Sequence, residues 1–456
     1  MTESLTERLV EILARAIDEE ARVRVCLHIV DWLGCAVLGA TSQTGSALLA
    51  YGRAAPDGPC FSLGVGRKSA EAAAFVNGGL GNIFEMDDLH RTSIVHPGDV
   101  VIPAALAVAE RVGATGPVLL DAIVRGYEAA IRVGEAAGTG HYTHWYNTAT
   151  CGVFGAAAAA ASVLGLGRPQ IVDALGQAGM QSAGLWQCRL EPTYSKQLAT
   201  ARAAQSGVIA ADLAAIGFPG AKAILEGALG FFAATCPGSD PQDVVHDPDG
   251  PWRLFDTSFK PWPACRHAHP VIEAGLALHR RGGGKPIERI EIATYRDAVR
   301  FCDTQEPTTP HEARFSLQHC VAVALAKGRA VLADFAPSAI ADETLTALRR
   351  RVLVHINTEM TAAFPRCYGA LVSIVYTDGS LEECRVKTAK GDPENPMAEA
   401  EIEAKFHTSM SVGRLAARTI EALWKQTRKL PESKTMASFS ATLNGIVIGG
   451  PETCDQ

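Results

Sequence analysis

The sequence predicts a mostly α protein with an α+β second domain: a large all-helical domain, and a smaller α/β unit from which the chain returns to C-terminal helices. Three observations predict it. Ala-rich apolar patterns at helical spacing fill the first 265 residues, period-two alternation begins after about residue 280, and helical patterns resume near residue 400. The expected division is a first helical part over 1–265, an α/β domain over 266–400 and a return to the helical domain over 401–456. A chain of 456 residues exceeds what one core normally holds, which fits two or three domains.

The first element is a helix after Ser4, where Ser4 and Glu7 have capping-box spacing and Leu5, Leu9, Ile12, Leu13 and Ala16 share one face. Val23, Leu27, Val30 and Gly34 continue the helical period. Further helices are expected at 69–81, 102–112, 117–136, 152–164, 170–185, 199–216 and 221–234, so that this region reads as all-α. Ala136–Gly167 contains no Asp, Glu, Lys or Arg, yet Ala, Gly and Thr with His141, His144 and Asn147 suit a buried helix better than a lipid-facing one.

The character changes at Arg280-Arg281-Gly282-Gly283-Gly284-Lys285-Pro286, after which Ile290, Ile292 and Thr294 alternate as in a strand. Val352–Ile356 is a second strand. Leu371–Tyr376, Asp378-Gly379 and Leu381–Val386 read as a hairpin with an Asp-Gly turn. Residues 391–396 close this unit, and helices follow at 398–407 and 412–424.

Composition excludes several partners. A net charge of −7 without a basic run or basic-aromatic interleaving speaks against nucleic acid. Twelve cysteines without CxxC spacing, and an N-terminus lacking an apolar signal core, suit reduced thiols and a cytoplasmic protein that neither enters a membrane nor carries a disulfide framework.

Chemistry concentrates in four segments. Glu85-Met86-Asp87-Asp88, His90 and His96-Pro97-Gly98 gather acids and imidazoles between two helical patterns, the residue types that general acid–base catalysis uses. A solvated turn is the plain alternative. Lys260-Pro261-Trp262-Pro263-Ala264-Cys265-Arg266-His267-Ala268-His269 sits at the expected domain junction, where Lys260, Arg266 and His267 can present cations to a carboxylate or enolate. The alternation of Cys265, His267 and His269 also permits zinc, a reading that the flanking cations and the absence of HExxH or paired CxxC disfavour. Lys196 opens an apolar helix that continues through Arg202, and an apolar surround suits it to proton transfer or to carboxylate binding. His319 begins the apolar run Val321–Ala326, a setting in which a core histidine is the commoner outcome.

In order and spacing these segments resemble the MmgE/PrpD family over nearly the whole chain. Residues 85–103 are similar to its acidic segment with the His-Pro and Pro-Ala-Ala continuation. Cys151-Gly152-Val153-Phe154-Gly155, Lys196 with Arg202-Ala203-Ala204, Lys260-Pro261 with Arg266-His267, and Ala313–Gln318 match in turn. The resemblance implies a large helical domain with a smaller α/β lid domain inserted between roughly 266 and 400, a homodimer without metal or organic cofactor, and proton transfer beside a carboxylate of a small di- or tricarboxylate. It gives His96 the acid/base role, Lys196 and Lys260 the carboxylates or an enolate-like intermediate, and places Glu85 among the catalytic residues. Asp88, Arg202, Arg266 and His267 fall at substrate-binding positions.

The departures are specific. Glu85 stands where the family has Asp, Leu89 where it has a small hydroxyl residue, Tyr146 where it has His, and His319 where it has Tyr. An exchange of imidazole and phenol across the cleft is one expectation; entry of His144 in place of the missing imidazole, or loss of activity, is the other. The functional expectation is a cofactor-independent lyase of the dehydratase type. The alternatives are an epimerase or isomerase, a decarboxylase, and a ligand-binding paralogue without turnover.

Overall fold

The computed structural model describes residues 3–191, 193–282 and 285–448. Gly283 and Gly284 of the expected break, and the last eight residues of the expected C-terminal part, lie outside the described residues. The chain is mostly helical with small sheets, and it divides into two compact units. Among the described residues, one unit comprises 3–83, 87–257 and 398–448, and the other comprises 84–86 and 258–397.

The first unit is a stack of helices whose faces are small residues. Its opening helix, Leu5–Leu13, carries the expected capping box between Ser4 and Glu7. Glu19–Ala40 follows from an Asp18 cap. This 22-residue helix is the one described helix long and apolar enough to cross a membrane, and its residues from Val25 onward are buried among other helices, including Glu399–Val412. Lys405 of that returning helix meets Asp31 at 2.5 Å, with both side chains buried.

Gly152–Val163 is apolar on every side, as a helix enclosed on all faces must be, and packs on Gly98–Val112, Gly116–Tyr142, Arg168–Gly179 and Ser195–Ala215. Glycine permits the closest crossing. A methyl group added at Gly155 would stand 2.4 Å from the Gly126 carbonyl oxygen, inside any van der Waals limit. The stretch 136–167 is therefore broken rather than continuous: Gly138, at φ 67°, interrupts Gly116–Tyr142, and the short helix Asn147–Thr150 precedes Gly152–Val163.

Three expectations need correction in this unit. It is not all-α, because Asp57–Ser62 and Gly66–Lys68 form an antiparallel hairpin. Helix side chains fasten it: Glu110 accepts from the Phe61 N–H at 2.6 Å, while Asn77 accepts from Leu63 and donates to the Phe61 carbonyl. The helix expected over 221–234 shrinks to Phe231–Thr235. There the Phe231 N–H reaches back to the Ile224 carbonyl and closes a loop in place of the helical ladder. The helix expected to reach residue 185 ends at Gly179, ahead of Gly184 at φ 143°.

The second unit holds a four-stranded sheet in the order Val352–Ile356, Ile287–Thr294, Ala370–Tyr376, Leu381–Val386. The first pair is parallel, with Ile290 opposite Val352, and the other pairs are antiparallel. Gly379, at φ 79°, makes the expected hairpin turn. His269–Arg281 packs on Leu317–Lys327 and on the last two strands.

Candidate active site

The loop between Ala70–Leu80 and Gly98–Val112 carries the acids and imidazoles, and the structure gives adjacent acids different work. Asp88 is held by three donors: the Gly98 N–H at 3.0 Å, the Tyr127 hydroxyl at 2.7 Å and His28 Nδ1 at 2.8 Å. Gly98 begins a helix, so a carboxylate there also meets the positive end of the helix dipole. Burial, and then Asp88, push the Tyr127 phenol well above its ordinary range, while burial pulls His28 down. Asp88 thus fastens the loop to two helices.

Asp87, buried beside it, turns to His96: Oδ2 lies 2.6 Å from Nδ1. The His96 backbone N–H donates to Thr148 Oγ1 at 3.1 Å, and Asn147 Nδ2 donates to the Ser93 carbonyl at 2.9 Å. The His96 loop is in this way laced to the segment that carries Tyr146. Between His90 and His96 the chain makes a tight turn with Ile94 at φ 54°, a conformation a β-branched residue adopts only when its surroundings impose it. His90 bonds Ser93 through Nδ1, and burial drives its pKa down to about 3.

Tyr146 is buried, tilted against Trp186 at 4.6 Å, and its hydroxyl accepts from Asn82 Nδ2 at 3.5 Å. Lys196, in the first turn of Ser195–Ala215, places its ammonium 5.7 Å from the Tyr146 ring centre, within cation–π range. Arg202, on the same helix, is exposed and bonded to Gln205. It lines a cavity of about 510 Å³ with Gln187, Cys188, Glu191 and Leu198, whose walls include neither Lys196, Tyr146 nor His96. The first unit therefore sets Lys196 against Tyr146, ties the His96 backbone to the segment that follows Tyr146, and places Arg202 on a separate cavity. His144 is exposed, and the buried His141 is bonded to Thr150 and to the Thr235 carbonyl.

In the second unit Lys260, fully buried, lies 3.6 Å from Glu85. Glu85 sits at φ 57°, a left-handed conformation that costs of order 1–3 kcal/mol without glycine. Arg266 makes a buried ion pair with Asp392 and donates to the Lys390 carbonyl, while Asp392 also accepts from Ser258 and from the Ala389 N–H. That guanidinium pins the loop at 389–392. His267 bonds the Tyr295 hydroxyl at 2.6 Å and stacks on Tyr368 at 5.3 Å. His269 accepts from Arg266 at Nδ1, which leaves Nε2 to donate to the Ala264 carbonyl. Cys265, His267 and His269 do not converge on a metal position, and no other such group occurs among the described residues.

His319 is engaged at both nitrogens within the second unit. Arg349 donates to Nδ1 at 3.1 Å, so Nε2 carries the proton and donates to the Asp334 carbonyl at 2.8 Å. Burial lowers its pKa to about 4. Sequence reasoning missed Asp87 as the partner of His96, Asn82 beneath Tyr146 and Thr148 under the His96 backbone. A pair of adjacent aspartates carries no sign of which one faces a histidine.

Comparison with known proteins agrees over this whole span. A model of the MmgE/PrpD N-terminal domain matches residues 3–243, and one of the MmgE/PrpD C-terminal domain matches residues 262–427. The cis-aconitate decarboxylase-like protein oryM of Aspergillus oryzae is 24% identical over 98% of this chain and 97% of its own. Human cis-aconitate decarboxylase is 26% identical over 91% and 89%. The 2-methylcitrate dehydratase of Salmonella typhimurium is 27% identical over 49% of each chain. Two domain models in tandem, matched across both units, place the chain in the MmgE/PrpD family.

Proposed function

We propose that the protein is a lyase that acts by proton transfer beside a carboxylate of a small di- or tricarboxylate, with loss of water as the expected outcome. The observation that carries the reading is His96, with a buried carboxylate 2.6 Å from Nδ1 and its backbone tied to Thr148, two residues from the Tyr146 ring that the Lys196 ammonium faces. A carbon acid ionises when a positioned base meets it and a cation stabilises the charge that develops. His96 supplies the base through Nε2. Lys196 supplies a compact positive charge for a carboxylate or enolate oxygen. Tyr146 Oη is a candidate proton donor. In the second unit, the resemblance assigns carboxylate binding to Lys260, whose ammonium Glu85 accompanies.

Asp88, Arg266 and His267 have structural partners that account for their burial, and Arg202 faces a separate cavity, so the reading does not require them. His319 is likewise left out. Loss of carbon dioxide is a second outcome, favoured because relatives named decarboxylases align with nearly the full chain whereas the dehydratase aligns with half.

The test is a panel of citrate-type and aconitate-type acids in deuterated solvent, followed for alkene formation, carbon dioxide and deuterium uptake. Turnover of a tricarboxylate with His96→Asn reduced ~10²-fold or more supports the reading. Binding by the panel without exchange or turnover would favour the non-catalytic alternative.

A further inference from the structure

Two neighbouring aspartates precede His96, and their surroundings separate them. The Asp88 carboxylate is bound by a backbone N–H at a helix start, a phenol and the imidazole of His28. Asp87, also buried, has its Oδ2 at 2.6 Å from His96 Nδ1, an ion-pair distance along which the ring N–H is not aligned as a hydrogen bond. The His96 backbone is fixed independently, by Thr148 Oγ1. What remains to be set is the rotation of the ring and the nitrogen that carries the proton.

We propose that Asp87 is the positioning residue of His96: its carboxylate holds the proton on Nδ1, directs the Nε2 lone pair outward, and balances the imidazolium formed when the ring accepts a proton. The proposal rests on the reading of His96 as the base. Asp87 acts through His96 and takes no proton itself, since a carboxylate beside an imidazolium remains the weaker base. No atom is lost or gained in this role: the substrate C–H proton goes to Nε2, and the Nδ1 proton stays where it is. Three nearby charges have partners of their own. Asp31 is paired with Lys405, Asp88 is held as described, and Arg24 donates to the Thr257 carbonyl.

The experiment uses the whole chain with 15N-labelled histidine, the His96 signals being assigned by their loss in His96→Asn. In the unaltered protein Nδ1 should show the shift of a protonated nitrogen and Nε2 that of an unprotonated one. Asp87→Asn should reverse the pair, because an amide oriented by its neighbours can donate to Nδ1, while Asp87→Glu should retain the original tautomer. With the acid that the panel identifies, Asp87→Asn should lower kcat ~10²-fold with KM changed less than three-fold, and the acid limb of the rate profile should move to lower pH as the imidazolium loses its counter-charge. An unchanged tautomer in Asp87→Asn, or full kcat despite a reversed one, overturns the proposal. If His96→Asn is as active as the unaltered protein, the assignment of His96 as base falls instead. The nitrogen shifts decide the Asp87–His96 coupling whether or not any acid in the panel reacts.

Discussion

A histidine transfers protons to a substrate only while one ring nitrogen can reach it, and the imidazoles of this chain divide on that point. His319 spends both nitrogens on Arg349 and Asp334, so its loss should be felt in the fold. Replacing His319 by Asn should lower stability by ~1–3 kcal/mol in urea unfolding, the usual cost of stranding buried partners, and leave kcat of the folded protein within ten-fold. Tyr146 is the contrasting case. Tyr146→Phe removes the hydroxyl next to Asn82 but keeps the ring under Lys196, so a large fall in kcat with an unchanged unfolding midpoint would assign the phenol to proton transfer. The sequence made the residue types legible, since His96, Lys196 and Tyr146 stand in recognisable motifs. It could not reveal that Arg266 closes a loop or that Asp87 faces His96, because side-chain direction in irregular backbone follows no period.

At the scale of elements, local signals worked where local physics decides. The Ser4 cap, the apolar stripes of the long helices and the Asp-Gly hairpin turn each act within a few residues, and each element is present. The hairpin of Asp57–Ser62 and Gly66–Lys68 was illegible because its anchors, Asn77 and Glu110, are distant in sequence and sit on helices. Loop 221–230 has helix-forming residues and lost them to bonds such as Phe231 to Ile224. Close packing makes a further point testable. Gly155→Ala should destabilise the protein by ~1–3 kcal/mol despite alanine's better helix propensity, because its methyl group meets the Gly126 carbonyl; a stability gain would refute the tight crossing.

For the molecule as a whole, buried titratable groups set the response to acid. Burial holds His90 at about 3 and His141 and His319 at about 4, below the 6.5 of a free imidazole. The unfolded chain takes up those protons first, so their contribution is complete above pH 6.5 and drains away as pH falls through 4. Asp31 opposes them: burial lifts it to about 6 despite Lys405, and a protonated carboxyl favours the fold below that value. Three imidazoles outweigh one carboxyl, and the urea midpoint should fall between pH 7 and pH 4.5. The Asp31–Lys405 pair should itself be sensitive, with Lys405→Met costing ~3–5 kcal/mol and Lys405→Met combined with Asp31→Leu recovering most of it.

That pair joins positions 374 residues apart. A ribosome making this chain must therefore expose most of the polypeptide before the apolar Glu19–Ala40 segment acquires the Glu399–Val412 helix that covers it. Nascent chains stalled short of residue 398 should be cut readily by added protease and retained by chaperones, and emergence of the Glu399–Val412 helix should bring resistance in a single late step.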